Sequence, residues 1–96
     1  MIRVIYRWTV EPEAEGEFVD AWREATTRIR DQEPGAMGST LVRPAEAPNT
    51  LVGLARWRQR ADVEAFWATG SASPLPGGSL DSIEILEEVE HMTLES

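Results

Sequence analysis

The chain has no cysteine, no lysine and no long apolar run, and each absence narrows what it can be. Without cysteine there are no disulfides, no thiolate metal ligands and no cysteine nucleophile. The lack suits a reducing compartment, and a cytoplasmic location is expected. No apolar stretch approaches the ~20 residues that cross a bilayer, so no membrane segment is expected. The first residues enter a strand pattern directly, with neither a basic nor an apolar leader region, so no signal peptide is expected. All nine basic residues are arginine, against 17 acids, and the net charge is −8. Phosphate backbones and anionic lipid surfaces repel such a charge, so neither nucleic acid nor membrane is an expected partner. There is no P-loop, no dinucleotide fingerprint and no serine–histidine–aspartate arrangement.

What is present is a set of short, strongly patterned segments. Ninety-six residues, 42% of them apolar, make one domain spanning 1–96. Residues 2–10 alternate, with Ile2, Val4, Tyr6, Trp8 and Val10 on one face and Arg3, Ile5, Arg7 and Thr9 on the other. Period two with β-branched and aromatic residues predicts a strand. Pro12 and the acids around it mark a helix start. Phe18, Val19, Trp22, Ala25, Thr26 and Ile29 then recur at helical spacing, predicting an amphipathic helix over 13–32 that Pro34-Gly35 ends.

Residues 36–43 predict a second strand, 44–49 a turn, and 50–58 a third strand. The third strand is apolar on both faces: Leu51, Gly53, Ala55 and Trp57 on one, Val52 and Leu54 on the other. A strand of this kind needs cover on both sides. Helices supply one side and a second copy of the sheet supplies the other, so a homodimer is expected. Residues 61–69 predict a short helix with Val63, Phe66 and Trp67 on its apolar face and Gly70 as its stop. A loop over 71–79 leads to a last strand over 82–94, with a bulge expected near Leu86-Glu87 where the alternation slips. The order is βαββαβ: an α+β, ferredoxin-like fold with both helices on one face of a four-stranded antiparallel sheet. The last strand is acidic and the first and third carry Arg3, Arg7, Arg56 and Arg58, so carboxylate–guanidinium pairing between them is an option beside simple solvation.

The ordered set of segments resembles the antibiotic biosynthesis monooxygenase family, within the dimeric α+β barrel proteins. The resemblance rests on the opening strand, Phe18 and its helix, Pro34-Gly35-Ala36-Met37-Gly38, Pro48-Asn49-Thr50-Leu51-Val52, and Trp57 followed by Ala61-Asp62-Val63-Glu64-Ala65-Phe66-Trp67. It implies two such sheets packed face to face, with a pocket between helices and sheet in each subunit. It also implies oxidation of aromatic phenols by dioxygen, often without metal or flavin, so no cofactor is expected. Many members carry a histidine on the second helix where this chain has Phe66. Relatives that degrade haem have an asparagine on the first strand, where Tyr6 stands by register, and an axial histidine further along the second helix. Ser71–Pro76 offers no histidine, so the iron ligand of those relatives is missing.

Four residues are candidates for a site. Tyr6 brings a hydroxyl into an apolar layer, where it needs a partner, and is the candidate catalytic group that orients or deprotonates a substrate. Trp8, Trp22 and Phe66 are candidates for lining a slot that binds a small hydrophobic aromatic ligand. Phe66 and Trp67 diverge by about 100° on a helix, so at most one of them is expected to face the pocket centre and the other to pack elsewhere or contact the subunit interface. Trp57 is read as corner packing. His91 is read as an ordinary strand residue beside acids. Three function classes follow: a cofactor-independent monooxygenase-like enzyme acting on a small aromatic or polyketide-type metabolite, a non-catalytic dimeric module for a hydrophobic ligand or partner, and, third, a haem-handling protein.

Overall fold

A computed structural model describes residues 1–69 and 74–94. Strand β1 (Ile2–Val10) is followed by a single 3₁₀ turn (Pro12–Ala14), helix α1 (Glu15–Gln32), strands β2 (Ala36–Val42) and β3 (Thr50–Trp57), helix α2 (Arg60–Ala68) and strand β4 (Gly78–Glu87). The four strands form one antiparallel sheet in the order β2-β3-β1-β4. This is the ferredoxin-like βαββαβ arrangement.

Local chemistry sets the element ends. Pro12 at the first position of the 3₁₀ turn loses no hydrogen bond there, and Glu13, Glu15 and Glu17 place negative charge at the positive end of the helix dipole. At the far end the Glu33 amide still bonds the Ile29 carbonyl, but Glu33 is already extended because Pro34 follows it. The expected helix over 13–32 is thus a 3₁₀ turn leading into α1. The Arg58 amide donates to the Gly35 carbonyl at 2.8 Å, which ties the entrance of β2 to the exit of β3. The expected stop at Gly70 lies outside the described residues.

The last strand departs from expectation. It begins at Gly78 and ends at Glu87, and residues 88–94 carry no regular structure. Its bulge is not at Leu86-Glu87. Arg7 faces Ser82 while Trp8 faces Leu80, so the extra residue is Asp81. Leu80 and Ile83 are three positions apart and would lie on opposite faces of a regular strand. The bulge turns both to the helix side, and the Thr9 hydroxyl donates to the displaced Asp81 carboxylate at 2.7 Å. Leu86 instead pairs with Arg3, on the opposite face of the sheet. His91 lies beyond the strand, exposed, with its Nε2 3.3 Å from the Thr93 hydroxyl.

Both helices cover the face that carries Ile2, Val4, Tyr6, Trp8 and Val10. They do so as two separate packings. One cluster joins Ile2, Val4, Ala55 and Trp57 to Val63 and Phe66 of α2, and the other joins Trp8, Val10 and Leu51 to Phe18 of α1. Phe18, Val4 and Val63 are fully buried; each such side chain contributes about 1.5–3 kcal/mol relative to exposure.

Among the described residues no helix covers the other face of the sheet, although Val52 on that face is buried. Cross-strand neighbours there include Ile5 with Leu54 and Val52 with Val42, flanked by Leu86. Arg3 and Arg56 face each other across β1 and β3, and both donate to Glu88, whose amide also bonds the Met1 carbonyl. Pairing between arginine strands and an acidic last segment is therefore realised within the subunit. The two guanidinium groups hold the Glu88 carboxyl at about 2.

Candidate active site

Tyr6 is the side chain that packs against both core clusters. A cavity of about 590 Å³ opens at that junction, between the helices and the sheet, within the size range of small-molecule sites. It exists because small residues occupy the middle of the layer. Ala25 on α1 and Ala36, Gly38, Ser39 and Ala55 on the strands all border it. Gly53 lies opposite Tyr6 in the β1–β3 register. A methyl group placed there would come within 2.9 Å of the Trp8 ring and 3.8 Å of the Trp22 Nε1, so glycine keeps the space between the two indoles open.

Aromatic rings give the cavity stiff walls. Tyr6 stacks on Trp8 with centroids 5.5 Å apart and planes 11° from parallel. Trp8 meets Phe18 edge-on at 5.2 Å, and Trp57 meets Phe66 at 5.6 Å. These separations lie in the favourable range for aromatic pairs. All four candidate residues (Tyr6, Trp8, Trp22 and Phe66) border this one cavity.

Trp67 also borders it. Both members of the adjacent pair border it, and they contribute differently. Phe66 is buried in the core below the cavity, while half-buried Trp67 turns its indole edge toward Tyr6. The Trp67 Nε1–H donates to the Tyr6 hydroxyl oxygen at 3.3 Å, a long hydrogen bond. The signal for Trp67 was complementarity: a hydroxyl buried on the sheet needs a partner, and an indole N–H on the neighbouring helix can supply one.

Tyr6 is therefore a particular kind of polar group. Burial pushes its hydroxyl above the ordinary phenol value of 10, and the Trp67 hydrogen bond offsets this only in part. At neutral pH it is an un-ionised phenol. Its oxygen accepts from Trp67, which leaves its own proton available to another acceptor. Trp57 both packs and borders the cavity. His91 does not border it. Among the described residues no cluster of three metal-ligating side chains occurs, and no helix is long and apolar enough to cross a membrane.

The sheet order, the paired helices and the aromatic cavity agree with the sequence match. Residues 1–72 match the antibiotic biosynthesis monooxygenase family, and the chain belongs to it. No curated protein matches the chain significantly in sequence. Among solved structures, one of an antibiotic biosynthesis monooxygenase is similar at 24% identity with a TM-score of 0.72, covering 94% of this chain and 100% of that one. SnoaB, a cofactor-independent oxygenase from Streptomyces nogalater, is similar at 19% identity with a TM-score of 0.76, covering 95% of each chain. The haem degrader MhuD from Mycobacterium tuberculosis, with two haems bound, is similar at 20% identity with a TM-score of 0.77, covering 97% of this chain and all of its own. At these identities the likenesses establish the fold.

The cavity does not fit haem iron. Its described lining contains no histidine, cysteine, methionine or lysine, and its tyrosine is held in the neutral form.

Proposed function

We propose that the chain is a cofactor-independent monooxygenase-like enzyme that acts with dioxygen on a small, flat aromatic metabolite of polyketide type. The observation that carries this reading is the cavity: largely apolar, bordered by Trp8, Trp22 and Phe66 and by Tyr6 with its neutral hydroxyl. Aromatic walls bind a planar ring system and exclude water from it. The Tyr6 proton orients an oxygen of that ring system and stabilises charge that develops there, a task for which a fixed, un-ionised donor is suited. Tyr6 is thus the proposed catalytic group as a donor rather than as a base. SnoaB, a cofactor-independent oxygenase, shares the fold, which supports the reading.

The uncovered sheet face supports a homodimer. Ile5, Leu54, Val42 and Leu86 make an apolar strip there, and the same face of a second copy is its natural cover.

A second reading, a binding module without turnover, is favoured by the lack of a carboxylate, imidazole or amine among the described lining residues. Oxygen uptake separates the two. An anthrone-type enol acidic enough to ionise in neutral solution should drive uptake by the protein, and Tyr6→Phe and Trp22→Ala should each abolish most of it. Thermal stabilisation by the same compound with no uptake above the uncatalysed rate refutes the enzymatic reading.

A further inference from the structure

We infer that the cavity takes a guest that is already an anion in free solution, an acidic enol or hydroxyquinone rather than a simple phenol, and that Arg30 is its counter-ion. This rests on the reading of the cavity as an aromatic-ligand site. Two observations carry it. The first is what borders the cavity: among the described residues the ionisable ones are Tyr6, Arg30 and Arg56, and the Arg56 side chain leaves toward the opposite face of the sheet, where it meets Glu88. A general base needs a group that is unprotonated near the working pH and within reach of the proton. Tyrosine held as a phenol and two permanently charged guanidinium groups supply none. A proton on a bound simple phenol finds no basic side chain among the described residues that border the cavity, so the ionised form must be made in water before entry.

The second observation is how charge is distributed around the cavity. The polar side chains other than Tyr6 gather on the side of α1 and β2, where Thr26, Thr27, Arg30 and Ser39 stand among Ala25, Ile29 and Ala36. Over β4 the wall is apolar, formed by Leu75, Leu80 and Ile83. Arg56 is committed elsewhere, since its guanidinium makes two hydrogen bonds to Glu88. Among the described residues the ion pair of Arg30 is with its neighbour Asp31, at 3.5 Å with both side chains largely exposed. Exposed ion pairs of this kind are worth little, so a guest anion displaces Asp31 at small cost. An apolar ring system with an ionised oxygen at one edge matches this gradient: rings between the indoles, oxygen toward Arg30.

The test compares lawsone, a hydroxynaphthoquinone that is an anion at neutral pH, with its O-methyl ether, which cannot ionise. Binding to the intact protein is measured by calorimetry at neutral pH and low salt. Lawsone should bind about 3- to 10-fold more tightly than the ether, the scale of one charge-assisted contact at a partly exposed site. Arg30→Gln should erase that preference by weakening lawsone more than the ether, and Arg30→Lys should restore part of it. Asp31→Asn removes the competing carboxylate and should strengthen lawsone binding alone. Added salt should shrink the preference. Lowering the pH should weaken lawsone at its own ionisation midpoint. Equal binding of the two compounds, or a preference that survives Arg30→Gln, overturns the inference and leaves the aromatic cavity intact. Failure of both compounds to bind overturns the cavity reading, and the inference falls with it.

Discussion

Replacing Gly53 with alanine sets two effects of opposite sign against each other, and the structure decides between them. Alanine in a strand interior is favoured over glycine by roughly 0.5–1 kcal/mol, because the unfolded chain has less freedom to lose. The added methyl, however, would lie 2.9 and 3.0 Å from two rim carbons of the Trp8 ring, closer than such contacts occur. Trp8 cannot swing clear, since Tyr6 stacks on one side of it and Phe18 meets it at the edge. Overpacking of this kind costs about 1–3 kcal/mol. The net expectation is a loss of about 1 kcal/mol, a fall in Tm of roughly 4–8 °C for a domain of this size. Thermal denaturation followed by circular dichroism at fixed protein concentration measures it. Trp8→Phe removes the ring atoms in question. In that background Gly53→Ala should become neutral or stabilising, with a coupling of about 1–2 kcal/mol in the double-mutant cycle. A stabilised Gly53→Ala single variant, or additive effects in the cycle, refutes the claim that glycine is there to make room for the indole.

Acid should unfold the protein partly through Glu88. Its carboxyl falls from an ordinary 4.5 to about 2 in the folded state, so its stabilisation is complete above the higher value and lost as pH drops toward the lower. Glu88→Gln should lower stability at neutral pH and flatten the decline between those limits in urea titrations at several pH values; an unchanged profile counts against the clamp. Trp67→Phe removes the hydrogen bond that lowers the Tyr6 value, so the Tyr6 phenol, followed by its ultraviolet absorbance, should titrate at still higher pH than in the parent protein. Leu54→Glu places a charge in the middle of the uncovered sheet face, and sedimentation should show monomers where the parent protein shows dimers; a parent protein that sediments as a monomer refutes the proposed pairing.

The layered plan was legible because it rests on periodicity. Ile2, Val4, Tyr6, Trp8 and Val10 alternate without interruption, and Phe18, Trp22 and Ile29 repeat at helical spacing, so strand and helix assign themselves. The last strand resisted the same treatment. A bulge at Asp81 puts Leu80 and Ile83 on one face despite odd spacing, and pattern matching placed the slip at Leu86, which belongs to the opposite face. Strand 78–79 hid behind Gly77 and Gly78, which read as loop until the pairing of Gly78 with Val10 is known. Tyr6, Trp8, Trp22 and Phe66 were nominated by face and chemistry. Trp67 was not, since its part depends on how α2 sits above β1, a tertiary relation that no local spacing encodes. Arg30 was hidden for a different reason. A basic residue in the last turn of a helix is expected for the helix's own sake, so its place at the cavity rim carries no separate signature.

The division of the interior into two halves touching at one tyrosine bears on how the protein can change over time. Each half stays anchored by its own hub, Phe18 in one and Val63 in the other. The chamber at the seam borrows Trp8, Trp57 and Phe66 from these packings, but Thr26, Thr27, Arg30 and Ser39 on its wall belong to neither. Those four can be exchanged to suit a new guest while both anchors hold, so adaptation to another metabolite needs no rebuilding of the scaffold.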